Sequence, residues 1–554
     1  MKLSLDGTWQ LCYFPEGSLP VSGPADLAES GAPLIPATVP GNVQLDLVAA
    51  GVVPDPFVGT NIGLLRPYEF YEWWYRREFE LPAGFPRDDV DLVCHGLDCI
   101  ATVWLNGQEV GQAANMLVEH AFPVGAALQP GTNEIVIRLR SPLNAARERR
   151  YEPADMSWES RDEALWVRKP AHQYGWDICP RLVTSGIWRS VELVTREPNA
   201  IEDLYFRTVS AREGHADLAV HFQFRTDLPA LDGLRLRMTG RCGDHEFHAD
   251  TPVQFVAGWW RVGVPGAKLW WPRGYGEAAL YEVRTELLHG DEVLACREDR
   301  IGLRTVELSR SEGEGEFLFR VNGEPIMVKG SNWVPLDALH ARDADRYDQV
   351  MGLFADLGCN MIRCWGGNVY EDHRFFDLCD AAGILVWQDF AFACCRYPQD
   401  EAFLAVVRDE ARKVVRKLRN HPSLAVWCGD NEIDMAYFFD GLSPQHNRLT
   451  REVLPQVVHH CDPWRPYVPS SPYISPELEH HPDTVAVTPE QHLWGPRDYF
   501  KSRFYTENRA RFIGEQGYHG CPNVSAGSGT TGAGWGSVNP GTWCGRPLTH
   551  LPSD

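Results

Sequence analysis

The sequence predicts a multidomain β plus α/β chain: a jelly-roll-like β-sandwich, an immunoglobulin-like β-sandwich, then a (β/α)8 barrel lacking its last strand and helix. Three observations carry this reading. The first 300 or so residues are strand-rich, with hairpin turns and no long helical period. From about residue 306, short apolar strands alternate with helical patterns, as in a parallel barrel. Two late apolar runs, Trp427-Cys-Gly-Asp-Asn-Glu432 and Phe512-Ile-Gly-Glu-Gln-Gly517, stop abruptly on a glutamate.

The first domain covers residues 1–195. Glu72-Trp-Trp-Tyr-Arg-Arg-Glu-Phe-Glu-Leu81 mixes aromatics and charges as a half-exposed strand does. In Thr102-Val-Trp-Leu-Asn-Gly-Gln-Glu-Val110 an Asn-Gly pair sits between strand-like flanks, the preferred two-residue hairpin turn. Ile135-Val-Ile-Arg-Leu-Arg140 is a further strand, closed by Ser141-Pro142. Residues 196–305 form the second domain. Leu218, Val220, Phe222 and Phe224 alternate with polar or small residues, as do Leu234, Leu236 and Met238. The third domain runs over residues 306–525. Ile326–Gly330, Met361–Trp365, Ile384–Gln388 and Leu424–Trp427 read as its first four strands, and segments at 467, 484–487 and 511–514 as the fifth to seventh. Leu404, Val407, Ala411, Val414, Val415 and Leu418 share one face of a helix over 401–419, ended by Asn420-His421-Pro422.

Composition narrows the function. A formal net charge of −23 argues against nucleic acid or an anionic membrane as partner. No apolar stretch approaches the roughly 20 residues of a membrane-spanning helix. The opening Met1-Lys-Leu-Ser-Leu-Asp-Gly-Thr-Trp9 lacks the apolar core of a signal peptide, and 15 cysteines show no disulfide framework, so a cytoplasmic location is expected. Most of the 20 tryptophans belong in the core, leaving a few as platforms for sugar rings.

A carboxylate at the end of a buried strand is costly to desolvate unless the site uses it. Glu432 and Glu515, on different strands of one barrel, can meet at its C-terminal face. Paired carboxylates are what glycosidic bond cleavage requires.

The domain order and a set of local motifs resemble glycoside hydrolase family 2, and within it the β-mannosidase branch. The motifs are Leu5-Asp-Gly-Thr-Trp9, Val103-Trp-Leu-Asn-Gly107, Gly175-Trp-Asp177, Ser185-Gly-Ile-Trp188, Leu269-Trp-Trp-Pro272, Lys329-Gly-Ser-Asn-Trp333 and Arg363-Cys-Trp-Gly-Gly367. The resemblance spans roughly residues 1–525 and implies a sugar-binding-like first sandwich. It gives Glu432 the role of general acid/base and Glu515 that of nucleophile. It places Asn431 on the sugar 2-hydroxyl, and Trp365, Trp176, Asp177 and Trp494 around the glycone. The Cys428-Gly429 pair, Trp387-Gln-Asp-Phe390 and Cys394 point to the mannosidase branch, whereas Asp430 and Asn368 depart from it beside the expected pocket.

The expected activity is therefore an exo-acting retaining β-mannosidase releasing terminal, non-reducing β-D-mannose from a β-mannoside or manno-oligosaccharide, with no metal and no cofactor. The alternatives are another family 2 glycosidase (β-galactosidase, β-glucuronidase or exo-glucosaminidase) and a non-catalytic carbohydrate-binding remnant. After Ser525 the apolar periodicity vanishes into a Gly-rich tail, 526–554, expected to be aberrant or disordered. With no eighth strand in view, impaired activity is expected. Gly527-Ser-Gly-Thr-Thr-Gly532 spells a dinucleotide-binding pattern without its strand or helix and is set aside. His459, His460, Cys461, His480 and His481 lack a zinc spacing.

Overall fold

The computed structural model describes residues 1–27, 29–158, 160–310, 315–495 and 501–516. The Gly-rich tail and its dinucleotide-like pattern lie outside these residues.

A six-stranded sheet opens the chain, in the order Leu34–Val39, Gly7–Pro15, Tyr71–Leu81, Gly131–Arg140, Ile100–Leu105, Gln108–Ala114. A four-stranded sheet faces it, and one core joins Trp9, Trp73, Tyr75 and Leu139 of the first to Leu92 and Leu193 of the second. The Asn-Gly turn forms as expected. Asn106 and Gly107 take φ of 52° and 79°, and Leu105 pairs with Gln108. Strand Met156–Ser157 pairs with Cys395–Arg396 of the barrel, while Gly186–Ile187 pairs back with Leu97–Asp98 of the first domain. Arg168 and Glu410 form a buried ion pair at 2.7 Å, and Asn115 and Tyr370 donate to the same carboxylate at 2.7 and 2.9 Å.

The second sandwich packs a three-stranded sheet (Ala200–Arg212, His215–Arg225, Ala257–Pro265) against a four-stranded one. Leu218, Val220, Phe224, Leu236 and Met238 fill its interior, as the period-two pattern requires. Tyr205 and Asn420 tie it to the barrel base: the Tyr205 hydroxyl donates to Asp462 at 2.8 Å, and the Asn420 amide donates to the Leu204 carbonyl at 2.7 Å.

The barrel contributes seven strands among the described residues: β1 (Gly330–Trp333), β2 (Met361–Cys364), β3 (Leu385–Asp389), β4 (Leu424–Cys428), β5 (Tyr467–Val468), β6 (Glu490–Leu493) and β7 (Phe512–Gln516). β1 to β5 form one parallel sheet, and β6 pairs with β7 in parallel. Helix Glu401–Leu418 runs between β3 and β4, its N-terminus capped by the Asp400 carboxylate. Two expectations shift. Ile326–Gly330 is not β1; strand pairing starts at Gly330, because the Asn360 side chain takes the main-chain groups of Lys329 and Met327 at 2.8 and 3.0 Å. Thr484–Val487 is a helical turn, and the sixth strand is Glu490–Leu493. An unanticipated hairpin, Val306–Arg310 with Phe317–Val321, packs against the barrel interior, where Phe317 meets Trp387 and Phe512 at 5.8 and 5.1 Å between ring centres.

Candidate active site

Each glutamate follows from its strand. β4 is five fully buried residues, so the chain emerges at the barrel's C-terminal face with no freedom to wander. Asn431 and Glu432 are then held by main-chain bonds to both flanks: Cys394 N to Asn431 O at 2.8 Å, Asn431 N to Phe392 O at 2.9 Å, and Glu432 N to Ser471 O at 2.9 Å. Glu432 takes φ of 59°, a left-handed conformation that a glutamate adopts only under such constraint. Glu515 sits within β7.

The two carboxylates converge on one imidazole. His492, from β6, places Nδ1 2.6 Å from Glu432 and 3.5 Å from Glu515, and the three groups' ligand atoms lie within 4.8 Å of one another. Glu432 is one-fifth exposed and Glu515 one-tenth, enough for a ligand to reach either from the mouth.

Arg363, at the end of β2, organises the floor. Its guanidinium donates to Glu515 at 2.5 Å, to Asp389 at 2.7 Å, to the Asn431 side-chain oxygen at 2.8 Å and to Asn332 at 3.1 Å. A cation buried this deeply persists because two carboxylates compensate it and most of its N–H groups are used. Asn431, its oxygen fixed by Arg363, turns its NH2 toward Cys394 at 3.4 Å. The Cys394 thiol donates to Glu432 at 3.3 Å.

These contacts set the protonation states. Burial raises the Glu432 carboxyl above the ordinary glutamate range, partly offset by hydrogen bonds from Cys394 and Trp494 and by the charge of Arg363. Burial pushes His492 down to about 3 despite the pull of Glu515, so the imidazole between the glutamates is neutral. Glu490, buried behind His492, is pushed up to about 8 by desolvation.

Four of the expected site residues thus form one hydrogen-bonded set: Glu432, Glu515, Asn431 and Trp494. Trp365 and Trp176 form a second group, edge to face at 5.0 Å between ring centres, which brings the first sandwich to the barrel mouth. Gly367 permits this, since a side chain there would run into the Trp365 ring. Asp177 lies at the surface beside Trp176 and Cys179. Asp430 directly precedes Asn431. Its carboxylate accepts from Ile433 N at 3.0 Å and Ser470 Oγ at 2.5 Å, capping the helix that follows. Arg363, His492, Glu490 and Cys394 were not among the expected site residues. Arg363 carried a usable signal, a charge inside the apolar run Met361-Ile-Arg-Cys-Trp365.

Glu432, His492 and Glu515 could in principle face a cation, as could Asp377, Asp380 and His421. In both groups a His–carboxylate hydrogen bond, of 2.6 and 2.7 Å, already occupies the donor atoms. Asp380 also accepts from Ser423 N at 2.9 Å, a structural role.

Two β-sandwiches ahead of a parallel barrel, with paired glutamates across its C-terminal face, define a protein of the glycoside hydrolase type. The chain belongs to glycosyl hydrolase family 2. Its family models match in sequence: the galactose-binding domain-like model over 25–189, the family 2 model over 199–304 and the TIM barrel domain over 315–467. The chain is similar to β-mannosidase B of Thermothelomyces thermophilus, 33% identical over 517 residues, covering 88% of this chain and 59% of that protein. It is 32% identical to β-mannosidase B of Aspergillus clavatus, with 88% and 60% covered. Among solved structures, a β-D-mannosidase from Dictyoglomus thermophilum superposes with a TM-score of 0.83 at 31% identity, over 96% of this chain and 65% of that one. An exo-chitosanase from Amycolatopsis orientalis shares the fold at 19% identity, TM-score 0.64, over 91% and 56% of the two chains. The chain spans about three-fifths of the length of the curated relatives it matches.

Proposed function

We propose that the chain is an exo-acting retaining β-mannosidase that removes terminal β-D-mannose by double displacement. One observation carries the reading: Glu432 and Glu515 come from different strands yet converge within 4.8 Å on one neutral histidine. One oxygen of each carboxylate lies within 4.8 Å of the other, an approach compatible with the carboxyl separation of about 5–5.5 Å at which one carboxylate attacks while the other donates. The mannose specificity is supported by the relatives named β-mannosidase and by their similarity across all three domains.

The roles follow from the electrostatics. Glu515, ion-paired with Arg363 at 2.5 Å, is the nucleophile whose oxygen bonds to the anomeric carbon. Glu432, its carboxyl raised by burial, holds the proton that passes to the leaving glycosidic oxygen. In the second step Glu432, now ionised, takes a proton from water as that water displaces Glu515 from the sugar. Asn431 presents its NH2 to the 2-hydroxyl, and Trp365, Trp176, Asp177 and Trp494 enclose the glycone. Thirteen free thiols among the described residues support a reducing, cytoplasmic setting.

Hydrolysis of an aryl β-mannoside with retention of configuration tests this reading. Glu515→Ala and Glu432→Gln should each reduce turnover by at least about a thousandfold. Turnover confined to an aryl galactoside or glucuronide would move the assignment within the family. Sugar binding by calorimetry without turnover of any glycoside would leave a binding protein.

A further inference from the structure

Behind the glutamate pair lies a buried carboxyl that the double displacement does not use. Glu490, on β6, is 3% exposed, and its Oε2 has no hydrogen-bond partner. Its Oε1 lies 3.0 Å from the hydroxyl of the fully buried Ser471. The same hydroxyl lies 3.0 Å from His492 Nε2, and His492 Nδ1 lies 2.6 Å from Glu432. Four groups therefore form an unbroken hydrogen-bonded line from the proposed acid/base into the interior. The fold leaves room for it at one glycine: a Cβ on Gly514 would sit 2.0 Å from Glu490 Oε1.

We propose that Glu490 is a positioning residue for Glu432, sharing one proton with it through Ser471 and the neutral imidazole of His492. The inference rests on the acid/base role of Glu432 given above. The line has two self-consistent states. In one, Glu490 is protonated and donates to Ser471 Oγ, Ser471 donates to His492 Nε2, and His492 Nδ1–H donates to an ionised Glu432. In the other, Glu432 is protonated and donates to Nδ1, Nε2–H donates to Ser471, and Ser471 donates to an ionised Glu490. Interconversion moves three protons one link each. Glu432 gains one, Glu490 loses one, and His492 and Ser471 stay neutral. No co-reactant is required.

The surroundings favour keeping one proton in this line. The charged groups facing it are Arg363, Glu515 and Asp389. Arg363 is committed to Asp389 and Glu515. Removing the last proton would leave Glu432 and Glu490 both ionised beside Glu515, with no further cation facing them among the described residues. Like charges in one buried site hold their last proton to high pH. Burial, with the charges of Glu515 and Asp389 and against the charge of Arg363 and the Ser471 hydrogen bond, pushes the Glu490 carboxyl up to about 8.

The test is an infrared titration of the full chain with 13C-labelled glutamate carboxyls, alongside the pH profile of kcat/KM on an aryl β-mannoside. Near pH 8 the native chain should keep one more protonated glutamate carboxyl than the Glu490→Gln chain, in which the remaining Glu432 band should be lost at lower pH. With Glu490 neutral, Glu432 loses its proton against one fewer negative charge. The basic limb of the profile should then move to lower pH by about one unit. Ser471→Ala breaks the line and keeps both carboxyls; it also removes the hydrogen bond that favours ionised Glu490, so it should move the same limb the same way. A band that titrates in the ordinary carboxylate range in the native chain overturns the proposal, whether or not a glycoside is turned over. So does an unmoved basic limb in an active Glu490→Gln chain. A band behaving as expected in a chain that hydrolyses no glycoside supports the shared proton and rejects only the reaction assigned to it.

Discussion

Arg363 is the side chain on which the site's charge balance depends. It compensates Asp389 and Glu515 and orients Asn431, so three site groups lose their partner together when it is removed. Arg363→Leu should destabilise the chain by about 3–5 kcal/mol, read as the shift in a urea unfolding midpoint, because it leaves the fully buried Asp389 and the largely buried Glu515 without their cation. Arg363→Lys should recover little of this, since one ammonium cannot reproduce the forked geometry. The histidine between the glutamates shows why burial matters more than residue type. A histidine beside a carboxylate would ordinarily be charged, yet desolvation, helped by the charge of Arg363, outweighs the attraction of Glu515 and keeps His492 neutral.

Among the elements, the short helix Val43–Ala49 carries an unusual buried acid. Asp46 is 5% exposed, one oxygen accepts from Thr38 N at 3.0 Å, and the other has no hydrogen-bond partner. Desolvation pushes its carboxyl up to about 7. The folded state therefore holds a proton that the unfolded chain, titrating near the usual value of about 4, has already released. Stability falls as pH rises between those two values. Asp46→Asn keeps the acceptor for Thr38 and removes the titration. It should unfold at a midpoint near that of the native chain at pH 4 and be more stable by roughly 4 kcal/mol at pH 8. Equal midpoints at both pH values would refute it. The barrel strands show where sequence patterns fail. β4 is wholly apolar and was legible, whereas β6, Glu490-Gln-His-Leu493, spends Glu490 and His492 on the site and so carries no apolar signature. The apolar Thr484–Val487 nearby drew the assignment instead, but its main chain closes into a helical turn after Asp483.

For the molecule as a whole, the Arg168–Glu410 pair is a fully buried polar lock between first sandwich and barrel. Glu410 also accepts from Asn115 and Tyr370, and Arg168 lies over the Phe392 ring at 4.2 Å. Glu410→Ala should cost about 3–5 kcal/mol in thermal or chemical unfolding, since it leaves a buried guanidinium without its carboxylate. Replacing both members together, Arg168→Met with Glu410→Leu, should restore most of that loss, because neither charge then needs compensation. A double variant as unstable as Glu410→Ala would show that shape, not charge, holds the two domains. The same contact region carries Trp176 to Trp365, so the interface that stabilises the chain also completes the mouth of the site.

The order of the three domains, the hairpin at Asn106-Gly107 and both glutamates could be read from residues alone. Turn chemistry, hydrophobic period and an isolated charge at a strand end are local signals that survive in one dimension. The convergence of Glu432, His492 and Glu515, the Arg363 hub and the line back to Glu490 could not. They join residues up to 152 positions apart, and their energetics come from burial that exists only once the strands close around them.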